Sequence, residues 1–361
     1  MIYSVDQIKH LHLEISSLCN AACPLCPRNF WGYEYNAGYK EHNMTLAEAQ
    51  QIFSIEFIKQ LQRLVINGNF GDAVMNPDTV PIVNYFKSHN PDLHINISTN
   101  GAARDAKFWQ ALAAEGAEVT FCIDGTDDYT HALYRRNTLY STVMKNSATF
   151  IAAGGRANWK MIDFEHNRDQ QKLAQELSVQ QGFANFFLIN DGRDNGPVYN
   201  KTGDFVGVIG ASKIDWTPPP RVEFLLDRHS NPKFKNDRIT WIQKEHVKKI
   251  HCEVAQSLSV YVGSTGDVFP CCYTGLNPSQ YRNNSDMGFG MEQIDCIMSK
   301  NNALEYDLAT CIEWFDQIES SWQIDSFENG RLLTCNKTCG GVDQPLQFGV
   351  KSAKIHDNTA N

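Results

Sequence analysis

The stretch LHLEISSLCNAACPLCPR, residues 11–28, runs from an apolar segment straight into three cysteines, Cys19, Cys23 and Cys26, spaced C-x3-C-x2-C. LHLEIS (11–16) reads as a β-strand. Cysteines three and four positions apart bring their sulfurs to a common centre only if the chain curls around it. The carboxyl end of a barrel strand is where α/β barrels place their chemistry. A structural zinc site asks for four ligands, but this loop offers three, and the nearest histidines, His10 and His12, lie back along the strand. Three thiolates around an iron–sulfur cubane leave one iron without a protein ligand.

Outward from this stretch, the same strand-then-turn pattern recurs at RLVINGNF (63–70), LHINISTN (93–100), EVTFCID (118–124), NWKMIDF (158–164) and FANFFLIN (183–190). Helix-length segments separate them. Residues 44–61 carry Thr45 and Glu48 in capping-box spacing, and 106–116 end on a glycine suited to a helix terminus. Residues 79–89, 138–153 and 168–181 also read as helices. Strand–helix units of about 30 residues predict parallel strands with crossover helices, hence an α/β barrel or a doubly wound sheet.

The pattern changes near residue 191, where Gly- and Asn-rich sequence leads to a stiff WTPPPR (216–221). The division expected is 1–200 for the barrel, 201–245 for a linker or insert, and 246–361 for a smaller cysteine-rich domain. Within the last, SLSVYVGSTGDVFPCC (257–272) predicts a hairpin around GSTG that delivers Cys271 and Cys272.

The 361 residues are 42% hydrophobic and 20% charged, with a net charge of −9 and no basic block, which argues against duplex nucleic-acid binding. No run of 18 apolar residues and no basic-then-apolar start occurs, so a soluble, cytoplasmic protein without membrane partners is expected. The 11 cysteines are odd in number and crowd both ends of the chain, with only Cys122 between. That distribution predicts two metal or redox sites instead of a disulfide framework.

The three-cysteine loop after the first strand of a repeated βα domain resembles the radical S-adenosylmethionine (SAM) enzymes. The likeness extends over about residues 11–190. NGNFGD (67–72) is similar to that family's Gly-Gly-Glu region, with Gly71 and Asp72 in place of Gly and Glu. STNG (98–101), with Ser98 and Asn100, looks like the ribose-contacting segment; FCIDG (121–125) supplies Asp124, with Cys122 where serine is common; YRR (134–136) offers Arg135 to the SAM carboxylate. Each has a plainer reading: a turn for NGNFGD, a helix cap for Asp124, a solvated helix start for Arg135, a turn for Asn167. The resemblance implies a partial (β/α)6 TIM-type barrel with a 4Fe-4S cluster on Cys19, Cys23 and Cys26, SAM on its open iron, and a flavodoxin- or ferredoxin-type electron donor.

Near the other end, Cys252 and Cys271, with Gly266 before the latter, and Cys335 and Cys339 in TCNKTCGG resemble the SPASM extension of that family in its shortened, twitch form. The C-x2-C-x5-C run of full SPASM domains is missing, which implies one auxiliary 4Fe-4S cluster on Cys252, Cys271, Cys335 and Cys339. Four thiolates suit zinc equally well. Cys272 is a possible substitute for Cys271, and Cys296 and Cys311 read as buried apolar thiols. The implied activity is hydrogen abstraction from a substrate C–H bond followed by oxidation or crosslinking, with a peptide or protein as substrate. The alternatives are a small-molecule dehydrogenase or rearrangement enzyme and, in another class, a zinc-binding scaffold. The aromatic loop Pro27–Asn43, with Phe30, Trp31, Tyr33, Tyr35 and Tyr39, is expected to cover the active site, and leader recognition is expected from the insert or a separate protein.

Overall fold

The first strand, β1 (His10–Leu13), alternates His10 and His12 with Leu11 and Leu13, so that one face is apolar and the other polar. The computed structural model describes residues 3–34, 40–190, 195–210, 217–223, 246–276, 293–341 and 353–357. After β1 comes a short hairpin, β2 (Asn29–Phe30) and β3 (Tyr33–Glu34), and then the repeated barrel units. Their strands are β4 (Arg63–Ile66), β5 (His94–Thr99), β6 (Glu118–Cys122), β7 (Ala157–Ile162) and β8 (Asn185–Ile189). A second hairpin follows, β9 (Asn195–Tyr199) with β10 (Phe205–Gly210), then β11 (Ser259–Val262), β12 (Val268–Phe269) and β13 (Ala353–Asp357).

Nine strands form one sheet in the order β12-β11-β1-β4-β5-β6-β7-β8-β13. The seven from β11 to β8 run parallel, and the two edge strands are antiparallel. The expected α/β barrel is therefore present and open, with the six strands read from the sequence in their expected places. The seventh, β11, comes from the expected hairpin: it pairs with β1 from His10↔Ser259 to Leu13↔Val262 and covers an edge that would otherwise be bare. The cysteine-rich part of the chain is thus continuous with the barrel sheet.

The crossover helices include Thr79–His89, Ala106–Ala114, Tyr140–Ala152 and Gln171–Gln180. Thr45 caps the helix Leu46–Ile52 as predicted, its side chain accepting from Glu48 N. Residues 44–61 do not form one helix, however. They make Leu46–Ile52 and Ile55–Gln60, because Ser54 takes an extended backbone and caps a new helix through Phe57 N. Between helices and sheet lies the core, in which Trp109, Phe121, Phe150, Trp159 and Phe183 pack ring on ring.

The other face of the sheet, the barrel lumen, is polar. Asn96 Nδ2 donates to Thr120 Oγ1 (3.1 Å), Asn158 bonds Glu118, and Asn185 Nδ2 donates to Asn158 Oδ1 (2.9 Å). By alternation with buried Ile97, Thr99, Trp159 and Met161, Ser98 and Lys160 share this face. Packed TIM-barrel interiors are filled with Val, Ile and Leu. Asn, Thr, Glu and Lys in those positions make a lumen suited to a polar guest.

Candidate functional site

At the carboxyl ends of the parallel strands the three-cysteine loop curls back on itself. Cys26 N donates to Cys23 O (3.1 Å) and Asn29 N to Cys26 O (2.9 Å), while Ala22 N donates to Arg136 O (3.0 Å) and docks the loop on the segment after β6. Arg28, 5% exposed, staples the loop to Ser17 O and to Glu41 (2.7 Å). The β9–β10 hairpin covers it: Val198 and Ile209 pack with Ala21, Cys23, Tyr134, Ile162 and Phe164, and Cys19, Leu25 and Cys26 lie against that cluster. Sequence reasoning missed this cover. From the aromatic loop, Phe30, Trp31 and Tyr33 pack on Tyr199 and Val222 and brace the hairpin. A Cβ on Gly196 would lie 2.0 Å from the Trp31 ring, so only glycine permits that approach. Tyr35 and Tyr39 fall outside the described residues.

Two polar side chains and one backbone amide reach the sulfurs. Asn100 Nδ2 lies 3.6 Å from Cys19 Sγ and 2.9 Å from Asn20 Oδ1, and Ala21 N donates to Cys19 Sγ (3.4 Å). Arg135 Nη1 lies 4.0 Å from Cys23 Sγ, and its Nε donates to Asp124 Oδ2 (2.6 Å). Asp124 is fully buried and does not cap the following helix, which Asp127 caps; its Oδ1 accepts from Ile162 N (2.7 Å). Asp124 therefore aims Arg135. His131, also fully buried, supports the pair from behind, with Nδ1 accepting from Asp124 N (3.3 Å) and Nε2 donating to Thr138 Oγ1 (3.0 Å). Asn167 is the turn residue expected, holding Asp124 O and Ile162 O.

Burial and Asp72 push the Cys19 thiol up, and burial pushes Cys23 up to about 12 although Arg135 opposes it. Buried Cys23 and half-buried Cys19 and Cys26 lie within electrostatic reach of one another, and thiols so placed give up their protons to a cationic centre among them, so the donor set fits an iron cluster. Asp72 is turned inward. Its Oδ1 accepts from Thr99 Oγ1 (2.7 Å) and Val74 N (3.2 Å) and its Oδ2 from Asn100 N (2.6 Å), so this carboxylate shapes the STNG segment. Gly71 sits where a Cβ would meet Ser16 O at 1.8 Å, which explains why glycine stands there. Ser98 lies two residues before Asn100 on β5, facing the lumen.

The second site is assembled from three distant segments. Cys252 begins the helix Glu253–Ser257, Cys271 follows β12, and Cys335 and Cys339 lie one turn apart on the helix Leu333–Cys339. They are within electrostatic reach of one another: burial and Cys271 push Cys252 up to about 12, and burial with Cys271, Cys252 and Cys339 raises Cys335 further. Arg331, 3% exposed, ties the segments by donating to Ile324 O (2.9 Å), Trp322 O, Lys248 O and Asn336 Oδ1 (3.3 Å). Fully buried Asn336 accepts from Lys248 N (2.9 Å) and donates to His246 O (3.1 Å). Cys311 is the buried thiol expected, whereas Cys296 is exposed, because its helical turn buries Ile294 instead. Among the described residues no three Cys, His, Asp or Glu side chains converge as ligands of one metal ion do.

A cavity of about 310 Å³ at the amino ends of the strands, lined by Lys87, His94, Glu118 and Arg156, lies at the opposite end from the thiols. Among the described residues no helix is long and apolar enough to cross a membrane.

No family model matches the sequence, and no curated protein matches it. Among solved structures the chain is similar to Streptococcus suis SuiB bound to S-adenosylmethionine (14% identity, 91% of this chain and 77% of that one, TM-score 0.50). It is likewise similar to S. suis SuiB bound to precursor peptide SuiA (14% identity, 90% and 66%, TM-score 0.50). A third is native anSMEcpe with bound AdoMet and Cp18Cys peptide (14% identity, 93% and 91%, TM-score 0.50). In the SuiA complex the match spans just under two thirds of the SuiB chain, 66%. The chain has the fold of these structures.

Proposed function

We propose that this chain is a radical SAM enzyme that carries one auxiliary cluster and oxidises or crosslinks a peptide or protein. The observation that carries the reading is a loop at the carboxyl end of a parallel barrel holding three thiols, buried Cys23 and half-buried Cys19 and Cys26, with Asn100 and Arg135 on two of them. When bound, a reduced 4Fe-4S cluster with one iron open to SAM supplies the electron that breaks the sulfonium bond and yields a 5′-deoxyadenosyl radical able to take hydrogen from a C–H bond.

The residues then divide the work. Cys19, Cys23 and Cys26 hold the cluster, and the hydrogen bonds to Cys19 and Cys23 tune its potential. Arg135, aimed by Asp124, receives the carboxylate of SAM. Gly71, Asp72, Ser98 and Asn100 form the remaining wall of the nucleotide site, Asp72 by shaping the STNG backbone. The β9–β10 hairpin keeps water from the loop. Cys252, Cys271, Cys335 and Cys339 would hold the auxiliary cluster, which would supply an acceptor for the second electron of the oxidation. A flavodoxin- or ferredoxin-type protein supplies the first electron.

A peptide substrate is supported by the precursor peptide SuiA in the SuiB complex and the Cp18Cys peptide in the anSMEcpe complex. The polar lumen, with Lys160 facing Cys122 across the β6–β7 register, suits a polar or anionic side chain of that peptide.

The test is anaerobic reconstitution with iron and sulfide, then dithionite and SAM, followed by mass spectrometry for 5′-deoxyadenosine. About eight irons per chain and accumulation of 5′-deoxyadenosine are expected. Iron-loaded protein that leaves SAM intact, or protein that takes up zinc alone, overturns the reading.

A further inference from the structure

The polar face of β1 runs on into a charged residue that is not itself among the expected site residues. Glu14 is 2% exposed, and its carboxylate accepts hydrogen bonds from three successive amides of the loop after β4: Asn69 N (3.0 Å), Phe70 N (2.9 Å) and Gly71 N (2.9 Å). Successive N–H groups converging on one anion form a nest. Here the anion belongs to the protein, so the loop is shaped before any ligand arrives. The fit is tight, since a Cβ on Gly68 would lie 2.7 Å from Glu14 Oε1.

A fourth donor comes from the other end of the sequence. Tyr261, on β11 beside β1, donates its hydroxyl to Glu14 Oε2 (2.5 Å). The same hydroxyl accepts from Asn69 Nδ2 (3.3 Å), which also donates to Cys272 O (2.8 Å), next to Cys271. One buried carboxylate therefore fixes the loop beside Asp72 and, through two side chains, the backbone of the second cysteine group. His12 completes the patch, packing edge-on against Tyr261 at 5.0 Å and holding Asn67 O (2.7 Å).

We propose that Glu14 is a positioning residue for SAM: it holds residues 69–71 in the shape that receives the nucleotide and, through Tyr261 and Asn69, couples that loop to the cysteine loop at 271–272. This deepens the reading above and rests on it. Glu14→Gln keeps the size of the side chain but sets an NH2 group against backbone donors, so the nest loses its anion. Tyr261→Phe keeps the nest and cuts the coupling.

The experiment combines hydrogen exchange in full-length purified protein with SAM binding by equilibrium dialysis after cluster reconstitution. In Glu14→Gln, exchange at amides 69–71 should rise at least about tenfold and SAM should bind about 10- to 100-fold more weakly, with iron content unchanged. In wild type, SAM should slow exchange at 271–272 as well as at 69–71; in Tyr261→Phe the slowing should remain at 69–71 and vanish at 271–272. A merely structural role for the network would not produce that selective loss. Unchanged exchange and SAM affinity in Glu14→Gln overturn the positioning role, and a SAM response at 271–272 that survives in Tyr261→Phe overturns the coupling. If Glu14→Gln yields no soluble protein, Glu14→Asp, which keeps the anion but draws it back from the three amides, takes its place with the same two readouts. Wild-type protein that is iron-loaded yet binds no SAM overturns the proposed function itself, a separate outcome from wild type that binds SAM while Glu14→Gln binds it equally.

Discussion

The two thiol sites are built on opposite plans. The first draws Cys19, Cys23 and Cys26 from one loop with local turns of its own, which the barrel docks through Arg136 O and completes with Asn100 and Arg135 beside the sulfurs. The second draws Cys252, Cys271, Cys335 and Cys339 from three segments and depends on Arg331 and Asn336 to bring them together. A short loop closes at small entropic cost, whereas a site closed by long-range contacts is lost when one tie is cut. The donor counts differ as well. Three thiols leave a cluster open to a ligand, and four close it, so the loop suits chemistry and the assembled site suits electron transfer.

Emptying one site while keeping the other separates these roles, and it carries the largest expected effect. Replacing Cys19, Cys23 and Cys26 by Ala should abolish formation of 5′-deoxyadenosine and lower iron from about eight to about four per chain. Replacing Cys335 and Cys339 should remove the same amount of iron but leave SAM cleavage measurable by mass spectrometry, now uncoupled from product formation. If both variants lose SAM cleavage alike, the division of labour is wrong.

A smaller effect probes the tie itself. Arg331→Met would take this donor from the carbonyls of Trp322, Ile324 and Lys248 and leave Asn336 Oδ1 with Lys248 N alone. At about 1 kcal/mol or more for each buried acceptor, the expected loss is about 3–5 kcal/mol in urea unfolding. Iron should be lost from the second site first, leaving the SAM-dependent spectrum of the first intact. Equal loss from both would mean that the barrel depends on this tie too.

How much of this was legible follows from how local each feature is. The six barrel strands announced themselves as apolar runs between turn residues, and the Thr45–Glu48 box lies within four positions, so a single window contains its physics. The first three thiols were legible for the same reason. That β11 lies beside β1 was not, because pairing Leu11 with Val260 is a choice among edges that no short window contains. Asp72 shows the limit at a motif: the residue type was readable, but the direction of its oxygens, into Thr99 and Asn100, was not. Glu14 did leave a signal, since His10, His12 and Glu14 alternate on one face of the strand. The three amides and the tyrosine that meet it come from elsewhere in the chain, and there the signal ended.

Acid offers the gentlest way to set the two sites against each other. His12 and His131 flank the first site, and burial pulls both down to about 4 from an ordinary value of 6.5. Each is neutral in the fold, and His131 needs that state, because a proton on Nδ1 would displace the Asp124 N–H and add charge beside Arg135. The unfolded chain binds these protons from about pH 6.5 downward, while the fold resists until about 4. The stability they contribute is therefore present above 6.5 and lost as pH falls through that window. Between pH 7 and 5.5 each histidine should take away about 1 kcal/mol, read as a fall in the urea midpoint that flattens when His12 or His131 is replaced by Asn. Hydrogen exchange over the same range should loosen residues 67–72 and 124–138 before 331–341, whose ties use an arginine and an asparagine that do not titrate there. Simultaneous loosening of both regions would show that the two sites unfold as one unit despite their different construction.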